Sequence, residues 1–191
     1  GIQSKENYTV GSWNTRIARM SVLARINYNY QKRFYFTFTG RGDGASNFAR
    51  GHQWAFFPAA AFKWTISNEK FMRGTKSWLS DLSLRISGGS SGNDAIGRYV
   101  SQMLLTTNQS GWLFGDSYEA AFYPNRINNP NLTWEKTNSF NVGVDMSILN
   151  DRITFSLEGY MAYTQDLLYN MQNATVTGFG TRMANIGSTE N

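Results

Sequence analysis

The chain has 191 residues, of which 41% are hydrophobic and 15% aromatic, with 18 glycines, 3 prolines and no cysteine. Absence of cysteine excludes a disulfide scaffold and thiolate metal or redox chemistry, and the net charge of +5 is carried by dispersed Lys and Arg with no basic run, which argues against a nucleic-acid surface. No apolar stretch approaches the ~18 residues of a membrane helix, an absence that does not count against a barrel, whose strands alternate and whose mean hydropathy stays low.

Aromatic richness favours pleated surfaces, and period-2 alternation predicts strands throughout. In the first, Val22, Ala24, Ile26, Tyr28 and Tyr30 interleave with Leu23, Arg25, Asn27 and Asn29. In the second, Phe34, Phe36 and Phe38 alternate with Tyr35, Thr37 and Thr39. The third sets Trp54, Phe56, Pro58, Ala60, Phe62 and Trp64 on one face, and the fourth sets Leu82, Leu84 and Ile86 against Asp81, Ser83, Arg85 and Ser87. The clearest pair comes last. Phe140, Val142, Val144, Met146 and Ile148 alternate with polar or small residues, as do Ile153, Phe155, Leu157, Gly159, Met161 and Tyr163. Segments of about 9–14 residues exceed the ~5–6 of soluble strands and suit tilted membrane strands of about 9–11. Residues 182–191 read as the approach to a further strand, so the chain is expected to be a piece of a longer protein.

The connections alternate in length. Residues 30–33 and 150–152 are tight turns, and 67–80 joins them on the same end, with a single helical turn expected near Asn68–Met72. Residues 41–53, 90–136 and 164–181 are longer and fall on the other end, which is the short-turn, long-loop asymmetry of outer-membrane barrels. The expected fold is therefore all-β, an antiparallel transmembrane β-barrel fragment of about six or seven strands.

Few residues suggest chemistry. His52 is the only histidine, so neither a His-based metal site nor a triad can form within the chain. The 13 acids are scattered, without the convergent pair of a glycosidase, and no enzyme is expected. Asp94, Asp116 and Glu119 are the candidates for a loop calcium, without EF-hand spacing; no other cofactor is implied. Arg41-Gly42-Asp43 reads as a turn rather than an adhesion tripeptide. Arg25, Arg85 and Glu158 fall on the polar face and are expected in the lumen. Within 111–123, Trp112, Phe114, Tyr118, Phe122 and Tyr123 are candidate contacts for cargo or a partner protein, or else they pack the loop itself.

Six ordered stretches carry a family resemblance. Residues 23–30 (LARINYNY), 41–48 (RGDGASNF), 54–58 (WAFFP), 64–71 (WTISNEKF), 82–93 (LSLRISGGSSGN) and 129–137 (NPNLTWEKT) resemble motifs of SusC/RagA TonB-dependent transporters of Bacteroidetes. Gly42, Asn47 and Gly89 depart from the common residues. The resemblance implies a barrel of about 22 strands with a plugged lumen, of which residues 1–191 would be a partial β-barrel domain, with the plug and the TonB-contact segment outside it. It implies a bacterial outer-membrane importer of oligosaccharides or peptides, working with a SusD-like surface lipoprotein and energised through TonB. The alternative is a non-transporting barrel, an adhesin or a passive pore.

Overall fold

The computed structural model describes residues 16–97, 100–101, 103, 105–115, 117–124, 127–179 and 181–191, with the backbone alone at 105–114, 117–123 and 175. Among the described residues eleven strands follow one another: β1 (Arg19–Tyr30), β2 (Phe34–Ala45), β3 (Trp54–Thr65), β4 (Leu79–Asn93), β5 (Leu105–Phe114), β6 (Ser117–Pro124), β7 (Glu135–Ile148), β8 (Ile153–Gln165), β9 (Leu168–Gln172), β10 (Thr181–Asn185) and β11 (Ser188–Glu190). Seven form one antiparallel sheet in the order β1-β2-β3-β4-β7-β8-β11, while β5–β6 and β9–β10 are separate two-stranded hairpins. The six long strands of the sheet run 12 to 15 residues, as membrane strands require.

Register turns sequence alternation into two chemically distinct faces. Tyr28, Phe36, Phe62, Ile86 and Val142 line up across five strands, ending on Gly159. The next apolar row is Tyr30, Phe34, Trp64, Leu84, Val144 and Leu157. Between them, on the opposite face, run Asn29, Tyr35, Lys63, Arg85, Gly143 and Glu158. A one-residue slip anywhere would interrupt every row, so the pattern fixes the pairing. The apolar side chains cover no core: Ile26, Phe38, Phe140, Phe155 and Leu157 are all more than half exposed. A soluble sheet of this size would have to cover that face.

Small residues on β2 receive the aromatics of β3. Gly40, Gly42 and Gly44 pair with Pro58, Phe56 and Trp54, and a Cβ on Gly44 would lie 2.8 Å from the Trp54 ring. Pro58, lacking an N–H, stands where pairing of β3 with β4 stops, since that ladder begins at Ala59↔Gly89.

The tight turns are as expected. Gln31 and Lys32 both take positive φ (52° and 55°) in a three-residue connection, since Tyr30 pairs with Phe34, and the Arg33 N–H closes the turn on the Tyr30 carbonyl at 3.0 Å. Neither is Gly or Asn. The Asn29 side chain compensates by accepting the Lys32 N–H at 2.9 Å. Leu149, Asn150 and Asp151 are likewise left-handed.

Four expectations are corrected. Residues 90–136 are not one long loop: β4 continues to Asn93, β7 starts at Glu135, and β5 and β6 pair between them. The β5–β6 register shifts between Asn108 and Trp112, so its alternation is broken and escapes a period-2 reading. Residues 164–181 contain the end of β8 and all of β9. Arg41-Gly42-Asp43 lies within β2 rather than in a turn, with the Arg41 Nε donating to Asp43 at 2.8 Å. The turn expected at Asn68–Met72 is two 3₁₀ segments, Ile66–Asn68 and Lys70–Thr75.

Candidate functional site

Three side-chain assemblies stand out, one on the polar face and one at each end of the sheet. On the polar face, Arg85 reaches diagonally to Asp145, with Nε at 2.6 Å and the second nitrogen at 3.1 Å from the two carboxylate oxygens. It is a fork-to-fork pair of the kind Arg makes best. Gly143, opposite Arg85, leaves the room: a Cβ there would sit 3.1 Å from the guanidinium. Ser156 donates to Asp145 at 2.8 Å, Glu158 lies 3.8 Å from Arg85, and Lys63 adds positive potential at Asp145. Lys63 and Arg85 thus balance Asp145 and Glu158 in charge. The Arg85 and Glu158 side chains are 40% and 54% exposed, so solvent screens these pairs and their stabilisation is small, about 0–1 kcal/mol each. They fix the side chains' positions more than they hold the fold. Arg25 stands apart on the same face, its Nε donating to Thr39 at 3.2 Å.

At the long-loop end the polar face becomes apolar. Ala45, Phe48, Phe57, Ile96, Leu132 and Trp134 form a buried cluster, with Leu168 of β9 and Met183 of β10 packed against it. Trp134 packs at a tilt on Phe48, with ring centroids 5.0 Å apart, and meets Phe57 edge-on at 5.7 Å, while its indole N–H donates to the Gln53 carbonyl at 3.2 Å. Asparagines tie the outer layer. Asn129 donates to the Met183 carbonyl at 3.0 Å, and Asn185 accepts from the Thr133 N–H at 2.9 Å and donates to the carbonyls of Thr133 and Asp166.

At the tight-turn end, Glu69 lies between turns. The Arg33 guanidinium grips both of its carboxylate oxygens, and the Trp64 indole N–H donates to it at 3.0 Å. The Arg33 guanidinium, with help from Trp64, holds the Glu69 carboxyl below its usual range. Asn68 donates to the Lys32 carbonyl at 2.8 Å, so the connection between β3 and β4 is locked to the first turn.

Of the residues singled out in the sequence, Arg85 and Glu158 come together and Arg25 shares their face at a distance. Lys63, Asp145 and Ser156 complete the group; their signal was their place in the polar set of each alternation. The loop-end cluster carried less signal, although Trp134 lies in the NPNLTWE stretch and Phe48 and Phe57 in two others. Asp94 is paired with Arg19 at 2.5 Å, while Asp116 and the Glu119 side chain lie outside the described residues. The side chains of Trp112, Phe114, Tyr118, Phe122 and Tyr123 also lie outside them; their backbones belong to β5 and β6.

Long antiparallel strands in up-and-down order, an exposed apolar face and a polar face with internally balanced charge define a piece of a transmembrane β-barrel. The family described as TonB dependent receptor-like, beta-barrel, matches residues 3–191, and the chain belongs to it. Among its relatives is the TonB-dependent receptor SusC of Bacteroides thetaiotaomicron, 38% identical over 94% of this chain and 18% of the relative. TonB-dependent receptor P39 of Formosa agariphila is 37% identical over 96% of the chain and 17% of its own length. The structure of the RagAB peptide transporter superposes with a TM-score of 0.81 at 32% identity, covering 91% of this chain and 19% of that one. The chain thus spans less than a fifth of the length of these relatives, and the SusC/RagA resemblance read from its motifs holds.

Proposed function

We propose that this chain is part of the wall of a TonB-dependent importer in the bacterial outer membrane. Its apolar face lies against lipid and its polar face lines the lumen. The observation that carries the reading is the transverse alignment of rows of apolar residues and glycine, free of charge, across six strands and uncovered. In water such a face would be a liability; in hydrocarbon it is the required surface. With its two outer strands open, the sheet needs the remaining strands of the barrel to satisfy its edges.

On this reading the tight turns are periplasmic and the clustered loops extracellular. Tyr28, Tyr30 and Phe34, with Trp64 beside them, form the periplasmic aromatic girdle, where amphipathic rings prefer to sit; Tyr35, which neighbours them in sequence and would be expected with them, lies between Asn29 and Lys63 in the polar row instead. Arg25, Arg85 and Glu158 face the lumen. A plug and a TonB-contact segment in the rest of the protein supply energy coupling, and a SusD-like lipoprotein caps the loop end. The cargo is an oligosaccharide or a peptide, the latter supported by the likeness to a peptide transporter. Trp112, Phe114, Tyr118, Phe122 and Tyr123, in the β5–β6 hairpin, contact the lid or the cargo.

The test is uptake by cells expressing the full-length protein, with and without a functional TonB system. An importer loses uptake when TonB is removed. A passive pore keeps it, and an adhesin shows none in either case; both results contradict the proposal. Alanine at Trp112, Phe114 and Tyr118 should reduce uptake or lid capture while heat-modifiable mobility, the mark of an assembled barrel, is unchanged.

A further inference from the structure

The connection between β3 and β4 is richer than a passive turn needs to be. Within residues 70–78, Lys70, Arg73 and Lys76 alternate with Phe71, Met72 and Trp78. Phe71 is 69% exposed and Trp78 is 50% exposed. Both lie in a connection interior to the sheet, because β3 and β4 are neighbours. Further barrel strands would join at β1 and at β11, the two edges, and would not cover these rings. Lys70, Arg73 and Lys76 are exposed and make no ion pair among the described residues. The one carboxylate of this connection, Glu69, is committed to Arg33. Lys32, also exposed, is held beside it through Asn68. The result is a surface with a local excess of positive charge and two large aromatic anchors.

Its neighbourhood indicates a ligand. The connection leaves β3 at Thr65, directly after Trp64, which stacks at 6.2 Å on Phe34, itself 6.5 Å from Tyr30. The aromatic end of the apolar face therefore runs into this basic turn. Lys76 also lines a polar cleft of about 330 Å³ with Asn68, Ser80, Asn150 and Asp151, room for a phosphate and its hydration shell. Aromatic rings beside surface cations are the signature of an element seated at a membrane interface, and cations there attract anionic lipid at about 1 kcal/mol each.

We propose that residues 70–78, together with Lys32, bind the headgroup of an acidic glycerophospholipid in the inner leaflet of the outer membrane. Phe71 and Trp78 seat at the glycerol level, beside the first carbons of the acyl chains, and Lys70, Arg73 and Lys76 meet the phosphate. The inference rests on the orientation given above, in which the tight turns are periplasmic.

The test titrates the detergent-purified full-length transporter with short-chain phosphatidylglycerol or phosphatidylcholine and reads binding by thermophoresis. The Lys70→Gln/Arg73→Gln/Lys76→Gln variant should lose affinity for phosphatidylglycerol by about fivefold per charge, on the order of 100-fold in all. Its affinity for phosphatidylcholine should not change. Unchanged phosphatidylglycerol binding overturns the proposal, and so does an equal loss for both lipids. Should the variant fail to assemble, the wild type decides: its preference for phosphatidylglycerol must vanish between about 0.1 M and about 1 M salt, as screening shortens from about 10 to about 3 Å. A preference that survives overturns the site, and so does the absence of any preference at low salt, the result if the rings instead packed against the plug. A Ser77→Cys variant separates the two readings. Labelling by an impermeant maleimide in intact cells would overturn the orientation and the site together, whereas protection with no lipid preference overturns the site alone.

Discussion

The two ends of the sheet are closed by different physics. At the tight-turn end the contacts are polar: left-handed residues at 31–32 and 149–151 and an Asn29 side chain on a turn amide within each turn, and, from one turn to the next, Arg33 on Glu69 with Trp64 beside it. At the loop end the closure is apolar and long in range, with Trp134 and Leu132 gathered against Phe48, Phe57 and Ile96. Polar closure of one end holds turns at fixed spacing with little buried surface. Apolar closure of the other makes a small core over the strand ends, to which the β9–β10 hairpin is tied. The second arrangement is the more consequential to disrupt, because burial contributes more than screened ion pairs.

That contrast can be broken by substitution. The largest effect is expected for Trp134→Ala, about 3–5 kcal/mol for a buried large aromatic; limited proteolysis of the full-length protein should show cleavage within the loop-end segments while the strands stay protected. Next is Val142→Arg, which places a cation on the apolar face and should cost about 2–4 kcal/mol near the bilayer midplane, read as a lower unfolding midpoint in lipid. Gly89→Ala follows. A Cβ there would stand 2.6 Å from the Ala59 Cβ and 3.2 Å from the Pro58 carbonyl oxygen, backbone that cannot step aside. Overpacking of that sort costs about 1–3 kcal/mol, and slower folding on heat-modifiability gels should report it.

The smallest effect belongs to the tight-turn clamp and depends on pH. Pairing with Arg33 and Trp64 lowers the folded pKa of Glu69, so its contribution is complete above the ordinary carboxylate pKa and is lost as pH falls through the lower folded value. Protease protection of residues 66–78 should therefore hold at neutral pH and fail only below the usual carboxylate range. Glu69→Gln should remove that acid step and leave the loop end as it was.

The same contrast explains how much was legible in the sequence. Where neighbours in space are neighbours in a hairpin, alternation predicted the strands, the faces and both tight turns. Arg85 and Glu158 could be placed on one face from period alone. Their joining with Asp145 required register, which depends on the ladder across β4, β7 and β8. The loop-end cluster joins residues from 45 to 134, and no local period links them. The β5–β6 hairpin was missed because its register shift breaks the alternation that reveals the other strands. Arg41-Gly42-Asp43 was misplaced because Asp43 and Gly44 suit a turn in isolation, whereas in the sheet they lie across from Ala55 and Trp54.

The central claim is that the apolar face meets lipid and the polar face meets water. The chain has no cysteine, so single Val142→Cys and Asn141→Cys variants, spin-labelled in the full-length protein and reconstituted in bilayers, report the two faces one residue apart. The account predicts that the label at 142 collides preferentially with dissolved oxygen, which concentrates in hydrocarbon, and that the label at 141 collides with a water-soluble nickel chelate. The reverse pattern would place the apolar rows inside the barrel and contradict it.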